Sequence, residues 1–279
     1  MTTKGKDTGI DMPIIAITNE LYTGSGKIIQ LLSEKFGSPV VTDIEIIEKT
    51  HLTHHIKPGT LKKVIESKQI AFNRFTHEKE ECISALKKTL SDLVQEGNYI
   101  FHGILGHLIP REITHVMRLF IHEDKKRRIE LGMEADGISE KQVLKKVTLS
   151  DKYALLWTMF LFGKEPRDPT LYDRVIPLGK FDSKAVANLL TEHFTLFTAK
   201  NKDLIKQEIS DFKLSADIDL VLSQLGHGLL VKADKGHVVV TIDKKAKMLA
   251  KFQQKIIQTV EAFPGVTMVE TKIGKNYYK

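Results

Sequence analysis

The sequence predicts a doubly wound α/β domain built on a five-stranded parallel sheet, followed by a small α+β domain. Three features predict it. Five short apolar runs, rich in β-branched residues, recur through the first two thirds of the 279 residues. Amphipathic helical patterns separate them, and strands that alternate with helices imply a parallel sheet covered on both faces. Near residue 200 the alternation gives way to a helix, a hairpin, a further helix and a closing strand.

The run "PIIAIT" supplies the first strand and "GKIIQLLSEKF" the first helix, with apolar residues at three- and four-residue spacing. The remaining strands are "SPVVT", "NYIFHGI", "HVMRLFIH" and "YDRVIPL". Between them the same spacing predicts helices over "TLKKVIESKQIAFNRF", "EKEECISALKKTLSDLVQEG", "EDKKRRIELGMEADG" and "SEKQVLKKVTLSDKYALLWTMFLFG". The helix "DSKAVANLLTEHFTLF", with Asp182 as its N-cap, closes the unit. The second domain opens with the helix "DLIKQEISDFKL" and a further short helix. Strands "GLLVKA" and "HVVVTI" then flank Asp-Lys-Gly, a hairpin signal, before a long helix from Lys244 and the strand "GVTMVETKI". The expected boundaries are a flexible N-terminus over 1–12, the α/β domain over 13–197 and the α+β domain over 203–279, joined by the polar "TAKNKD".

With 42% hydrophobic residues the chain can bury a full core. No apolar run reaches the roughly 18 residues that span a bilayer, and "MTTKGKDTGIDM" lacks a secretory pattern, so a cytoplasmic protein is expected. Cys82, the single cysteine, lies in an amphipathic helix and reads as a packed thiol. The net charge of +7 suits an anionic partner, and residues 201–279 contribute +4 of it. No basic tract interleaved with aromatics occurs, which disfavours nucleic acid.

The stretch "LYTGSGKI", Leu21 to Ile28, joins the first strand to the first helix, where ligands of such sheets bind. A phosphate loop of the form G-x-x-x-x-G-K-[ST] needs glycines for its curl, a Lys for terminal phosphates and a hydroxyl for Mg²⁺. Gly26 and Lys27 fit, whereas Leu21 replaces the first glycine and Ile28 the hydroxyl. Two readings stand: an anion site formed by Thr23, Gly24, Ser25, Gly26 and Lys27, or a bare strand-to-helix turn. Asp43 and Glu45 after the second strand either orient an acceptor or start a helix, Asp43 as N-cap with Glu45 in the first turn. Lys141, Lys145 and Lys152 share a helix stripe that is either a lid over phosphates or a solvated face. Arg127 and Arg128 open the preceding helix. His51 and His55 stand four apart, but no carboxylate or cysteine completes a ligand set, and no metal site is assigned.

The first 195 or so residues resemble the cytidylate kinase-like family of the P-loop kinase fold. The landmarks come in order: "TGSGK", then "TDIEII" at Thr42 to Ile47, "FHGILGHLI", "GISEKQV" and "RDPTLYDRVI" at Arg167 to Ile176. The resemblance implies a nucleotide or other small phosphorylated ligand as partner, and ATP with Mg²⁺ as phosphoryl donor. It implies Lys27, Arg128 and Lys152 as catalytic cations, and Asp43, Glu45, Gly103, Asp168, Tyr172 and Asp173 around the acceptor and base. The sequence departs from the family pattern at Ile104 and Ala154, where phosphate-gripping arginines are usual. Residues 203–279, closing on Gly265-Val266-Thr267-Met268-Val269, resemble a BON domain, which implies contact with a ligand or a membrane surface. Phosphoryl transfer to a nucleoside monophosphate such as CMP, a catalytically weak nucleotide-sensing regulator and a purely structural protein are the functional readings that follow. The sequence leaves the acceptor and the oligomeric state open.

Overall fold

The computed structural model describes residues 14–66, 77–179, 181–197, 202–226 and 228–278. Strands β1 (Ile14–Asn19), β2 (Val40–Thr42), β3 (Tyr99–His102), β4 (Val116–His122) and β5 (Arg174–Pro177) form a parallel sheet in the order β2-β3-β1-β4-β5. All five expected strands are present. Chain neighbours lie on opposite sides of central β1, which leaves a crevice at its carboxyl end.

Because successive strand residues face opposite ways, β1 feeds two cores. Ile14 and Ala16 pack with Phe101 against α2 (Asp43–His54), α3 (Pro58–Glu66), α4 (Glu78–Glu96) and Trp157 of α6 (Glu140–Phe162). Ile15 and Ile17 pack against α1 (Gly26–Phe36) and α7 (Ser183–Phe197) on the other face. Asp182 caps α7 through the Ala185 N–H at 2.9 Å, as expected. Helix α5 (Lys125–Asp136) begins at Asp124, whose carboxylate accepts the Lys126 N–H. Cys82 is fully buried, and burial first, then Glu78 and Glu81, push its thiol up to about 12.

Several local expectations are corrected. A helix forms over Asp43–His54, and its N-cap is Thr42 rather than Asp43: Thr42 and Glu45 make a reciprocal capping box. His55 lies beyond that helix with φ +58°. It therefore shares no helix face with His51, whose Nδ1 meets the Ile56 carbonyl. The predicted helix over "TLKKVIESKQIAFNRF" is seen as far as Glu66; residues 67–76, the N-terminal stretch over 1–12 and the junction at 198–201 lie outside the described residues.

A three-stranded sheet, β6 (Leu229–Asp234), β7 (His237–Ile242) and β8 (Met268–Ile273), follows in the order β6-β7-β8. The hairpin is antiparallel and β8 joins β7 in parallel. Helix α9 (Leu249–Glu261) starts five residues after Lys244, because Met248 at φ +54° breaks the backbone. The expected pair of helices before the hairpin is one continuous helix, α8 (Lys202–Leu222).

That continuity matters for packing. Phe212 and Ala216 of α8 enter the core beneath the five-stranded sheet, while Ile218 and Leu222 enter the core of the three-stranded one. Ion pairs reinforce the α4–α8 seam: Lys87 with Asp219 at 2.9 Å, Lys88 with Asp217 at 3.0 Å and Lys213 with Asp92 at 2.7 Å. No helix among the described residues is long and apolar enough to cross a membrane. The shared helix predicts that Phe212→Ala, although C-terminal to residue 203, destabilises the five-stranded unit by about 3–5 kcal/mol. Denaturant unfolding followed by Trp157 fluorescence reads this, and a loss below about 1 kcal/mol would show that α8 does not hold that core.

Candidate active site

The loop after β1 is held from three sides. The Glu20 N–H bonds to the Ile121 carbonyl at 3.2 Å. Tyr22, at φ +61°, lays its ring beside Gly132 of α5 and bonds Asp136 through its hydroxyl. A Cβ at position 132 would sit 2.8 Å from that ring and 2.5 Å from Val143, so the loop and α6 reach α5 only because this residue is glycine. Thr23 is buried, and its Oγ1 accepts from the Asn19 amide and the Ser25 N–H.

Ser25 stands at the N-cap of α1 with no side-chain cap bond. The N–H groups of that first turn therefore lack a side-chain acceptor, a geometry suited to an anion. Lys27 is exposed, its Nζ 3.3 Å from Gln30 Oε1. Ile28 is fully buried in the core that Ile15 and Ile17 form with α1 and α7. The loop thus fits phosphate but offers Mg²⁺ no hydroxyl at position 28, and among the described residues no three metal-ligating side chains cluster.

Arg128 is the centre of the surrounding charge network. It is 1% exposed and donates through Nε to the Leu21 carbonyl at 2.8 Å. Its two terminal nitrogens fork onto Asp151 of α6 at 3.1 and 2.7 Å, and Nη1 also lies 3.2 Å from Glu20. Glu20 in turn receives Arg167 at 2.6 Å. The family resemblance implied Arg128 as a catalytic cation. The structure engages it with two carboxylates and a loop carbonyl.

A cavity of about 1000 Å³ opens at the carboxyl ends of β1, β2 and β3, walled by Glu20 to Tyr22 and by α6. Asp43 and Gly103 both line it. The Asp43 carboxylate accepts the Ile104 and Leu105 N–H groups at 2.9 and 3.0 Å and presses against Gly103, where an added Cβ would lie 2.2 Å from its Cγ. Gly103 has φ +141°, so a side chain there meets both steric and backbone strain. Burial outweighs those two hydrogen bonds and raises Asp43 to about 6. His107 sits beside Thr18 and Tyr172, and burial, then the Arg118 charge, lower it to about 4. Burial lowers His102 as well.

Other predicted residues fall elsewhere. Glu45 completes the capping box of α2 and is exposed. Asp168 caps a short 3-10 turn through Thr170, Tyr172 stacks on Phe120 at 4.8 Å with its hydroxyl on the Pro166 carbonyl, and Asp173 accepts the Arg118 N–H at 2.7 Å. These three build the turn into β5. Lys141, Lys145 and Lys152 are exposed and do not line the cavity, whereas Lys146 does, bonded to Asp136 at 2.6 Å. Glu20, Arg167, Asn19, His102 and His107 were missed. Glu20 and Asn19 stood beside the quoted loop, but neither residue type signals a phosphate site.

Two expectations follow. Removing one member of a buried ion network leaves its partners uncompensated, so Arg128→Ala should lose about 3–5 kcal/mol of stability in denaturant melts. Arg128→Lys should recover little of it, since an ammonium cannot fork onto Asp151; full recovery would contradict the fork. His107 is lowered from 6.5 to about 4. Its unfolded form therefore binds protons that the native form refuses, and stability is lost as pH falls through that window. Asp43, raised to about 6, works in the opposite sense, gaining stability as pH falls from 6 toward 4. His107→Gln should thus reduce the acid loss between pH 6.5 and 4 by about 1–3 kcal/mol; an unchanged pH profile would count against the buried neutral imidazole.

Residues 14–180 match the cytidylate kinase-like family. An uncharacterised protein from Eubacterium ventriosum is similar in structure, with TM-score 0.53 and 18% identity over 66% of this chain and 99% of its own. Shikimate kinase from Bacteroides thetaiotaomicron aligns with TM-score 0.41 and 10% identity over 66% of this chain and 99% of its own. TT1252 from Thermus thermophilus aligns with TM-score 0.40 and 16% identity over 68% and 100%. No curated protein matches at a significant level. A match that runs through the whole five-stranded sheet, from β1 to the residues just after β5, places this chain in the cytidylate kinase-like family.

Proposed function

We propose that the first unit binds a nucleotide with its phosphates at the glycine loop, and that phosphoryl transfer from it to a small acceptor in the adjoining cavity is slow. The observation that carries this reading is the state of the two arginines next to the loop. Arg128 is committed to Asp151, Glu20 and Leu21, and Arg167 to Glu20. The backbone N–H groups of the first turn of α1, at Gly26 and Lys27, and the exposed Lys27 ammonium then remain to receive the donor phosphates.

In this scheme Asp43 orients the acceptor, Gly103 gives Asp43 its space, and Lys152 stays at the outer face of α6. Arg128 positions the loop instead of the transferring group. Charge stabilisation dominates phosphoryl transfer. Ile104 and Ala154 supply none, and two lost grips at about 2–3 kcal/mol each slow turnover roughly a thousandfold or more. The second unit resembles a BON domain in its helix, hairpin, helix and strand and in its Gly265 to Val269 closing run. We assign it a tethering or sensing role toward a ligand or anionic surface, consistent with the net charge of +4 over residues 201–279.

Calorimetry with ATP, and a coupled assay with CMP, dCMP and UMP, test the reading. Binding is expected, with Lys27→Ala weakening it about tenfold, the scale of one charge-assisted contact. Turnover above about 1 s⁻¹ on any of the three acceptors, within the ordinary enzyme range, would contradict the slow-transfer reading. Absence of ATP binding would contradict the loop assignment.

A further inference from the structure

The floor of the cavity is built from acceptors. The Thr18 hydroxyl donates to the Gly103 carbonyl at 3.2 Å, so its oxygen is left to accept from His107 Nε2 at 3.4 Å. With the proton on Nε2, His107 Nδ1 carries only a lone pair, and it is buried with no hydrogen-bond partner among the described residues. His102 repeats the pattern. The Asn19 amide nitrogen is spent on the Glu20 carbonyl and Thr23, so Asn19 Oδ1 receives His102 Nε2–H at 2.6 Å and leaves His102 Nδ1 an acceptor. Between them Asp43 offers two carboxylate oxygens, each already holding one N–H and each able to take another donor.

Charge points the same way. Among the described residues the cavity is lined by five carboxylates, Glu20, Asp43, Glu66, Asp151 and Glu165, against Lys146 and Arg167. Lys146 is paired with Asp136 and Arg167 with Glu20. Both histidines are held neutral, and Ile104 and Ala154 add no cation. A phosphate monoester is an acceptor-only dianion, so here it would meet repulsion from Asp43 and no donor on the floor. The walls, including Ile44, Ile65, Phe120 and Leu149, are apolar enough to cover a small carbon skeleton.

We propose that this cavity takes an unphosphorylated, donor-rich molecule, a polyol or an amino alcohol, whose O–H or N–H groups are received by Asp43, His107 and His102. This rests on the assignment of the donor phosphates to the neighbouring glycine loop, and it names the class of acceptor that the second half of the site admits. A nucleoside monophosphate is the wrong class for the floor as built.

The test uses the full chain and matched pairs: ribose with ribose 5-phosphate, ethanolamine with phosphoethanolamine, and cytidine with CMP. Thermal shift and calorimetry should find at least one unphosphorylated member that binds at least tenfold more tightly than its phosphorylated twin. Asp43→Asn and His107→Gln should each weaken that member about tenfold while leaving ATP affinity within twofold of the parent. Far-UV circular dichroism identifies a variant that has not folded, and either variant alone suffices. A phosphorylated twin that binds more tightly, millimolar silence from all three unphosphorylated members, or folded variants with unchanged affinity would each overturn the proposal. Loss of ATP binding in the parent would instead remove the loop assignment, so the two failures are distinguishable.

Discussion

The fork of the buried Arg128 onto Asp151 and Glu20 is the contact on which the rest of the site depends. It ties the loop after β1, the start of α5 and the middle of α6 into one body. An isolated guanidinium at 1% exposure is not tolerable in a protein interior, so the three elements must remain where they can satisfy it. Tyr22 lodges beside Gly132 for the same reason: once the fork sets the distance between α5 and α6, only a residue without Cβ leaves room.

This constraint divides the site into two chemically different halves. On the loop side the N-terminus of α1 lacks a side-chain cap and Lys27 is exposed, which favours an anion. On the cavity side the arginines have been neutralised by Glu20 and Asp151, and the floor of Asp43, His102 and His107 presents acceptors. The same chain therefore keeps the strand order and loop position of a kinase-like fold while changing what those positions can grip. Trp157, whose indole N–H bonds the Ile104 carbonyl at 2.9 Å, joins α6 to the strand-end turn that carries the Asp43 donors. Movement of α6 would consequently be felt in both halves.

The sheet was legible in the sequence because its inner strands β1, β3 and β4 are mostly buried and read as continuous apolar stretches, while the half-buried edge strands β2 and β5 are marked by their paired β-branched residues. The helix over Asp43–His54 was less so, since its apolar residues are few and it was obscured by the acceptor and metal readings of Asp43, Glu45 and the histidines. Periodicity did not reveal that α8 is one helix serving two cores, because its apolar face changes partner from Phe212 to Ile218. At the site, glycine and lysine at "TGSGK" mark the loop. The decisive residues were hidden for a physical reason: whether Arg128 is a grip or a strut depends on the carboxylates it meets, and Glu20 and Asp151 approach it from 108 and 23 residues away.

The most direct test of this account is the affinity of Glu20→Gln for inorganic pyrophosphate, measured by calorimetry beside the parent. Glutamine retains the size and a hydrogen bond but removes the charge that occupies Arg167 and faces Arg128. If Glu20 holds the arginines away from phosphate, the variant binds pyrophosphate about tenfold more tightly, the scale of one released charge-assisted contact. An affinity equal to or weaker than the parent's would show that Glu20 does not govern anion access to the loop.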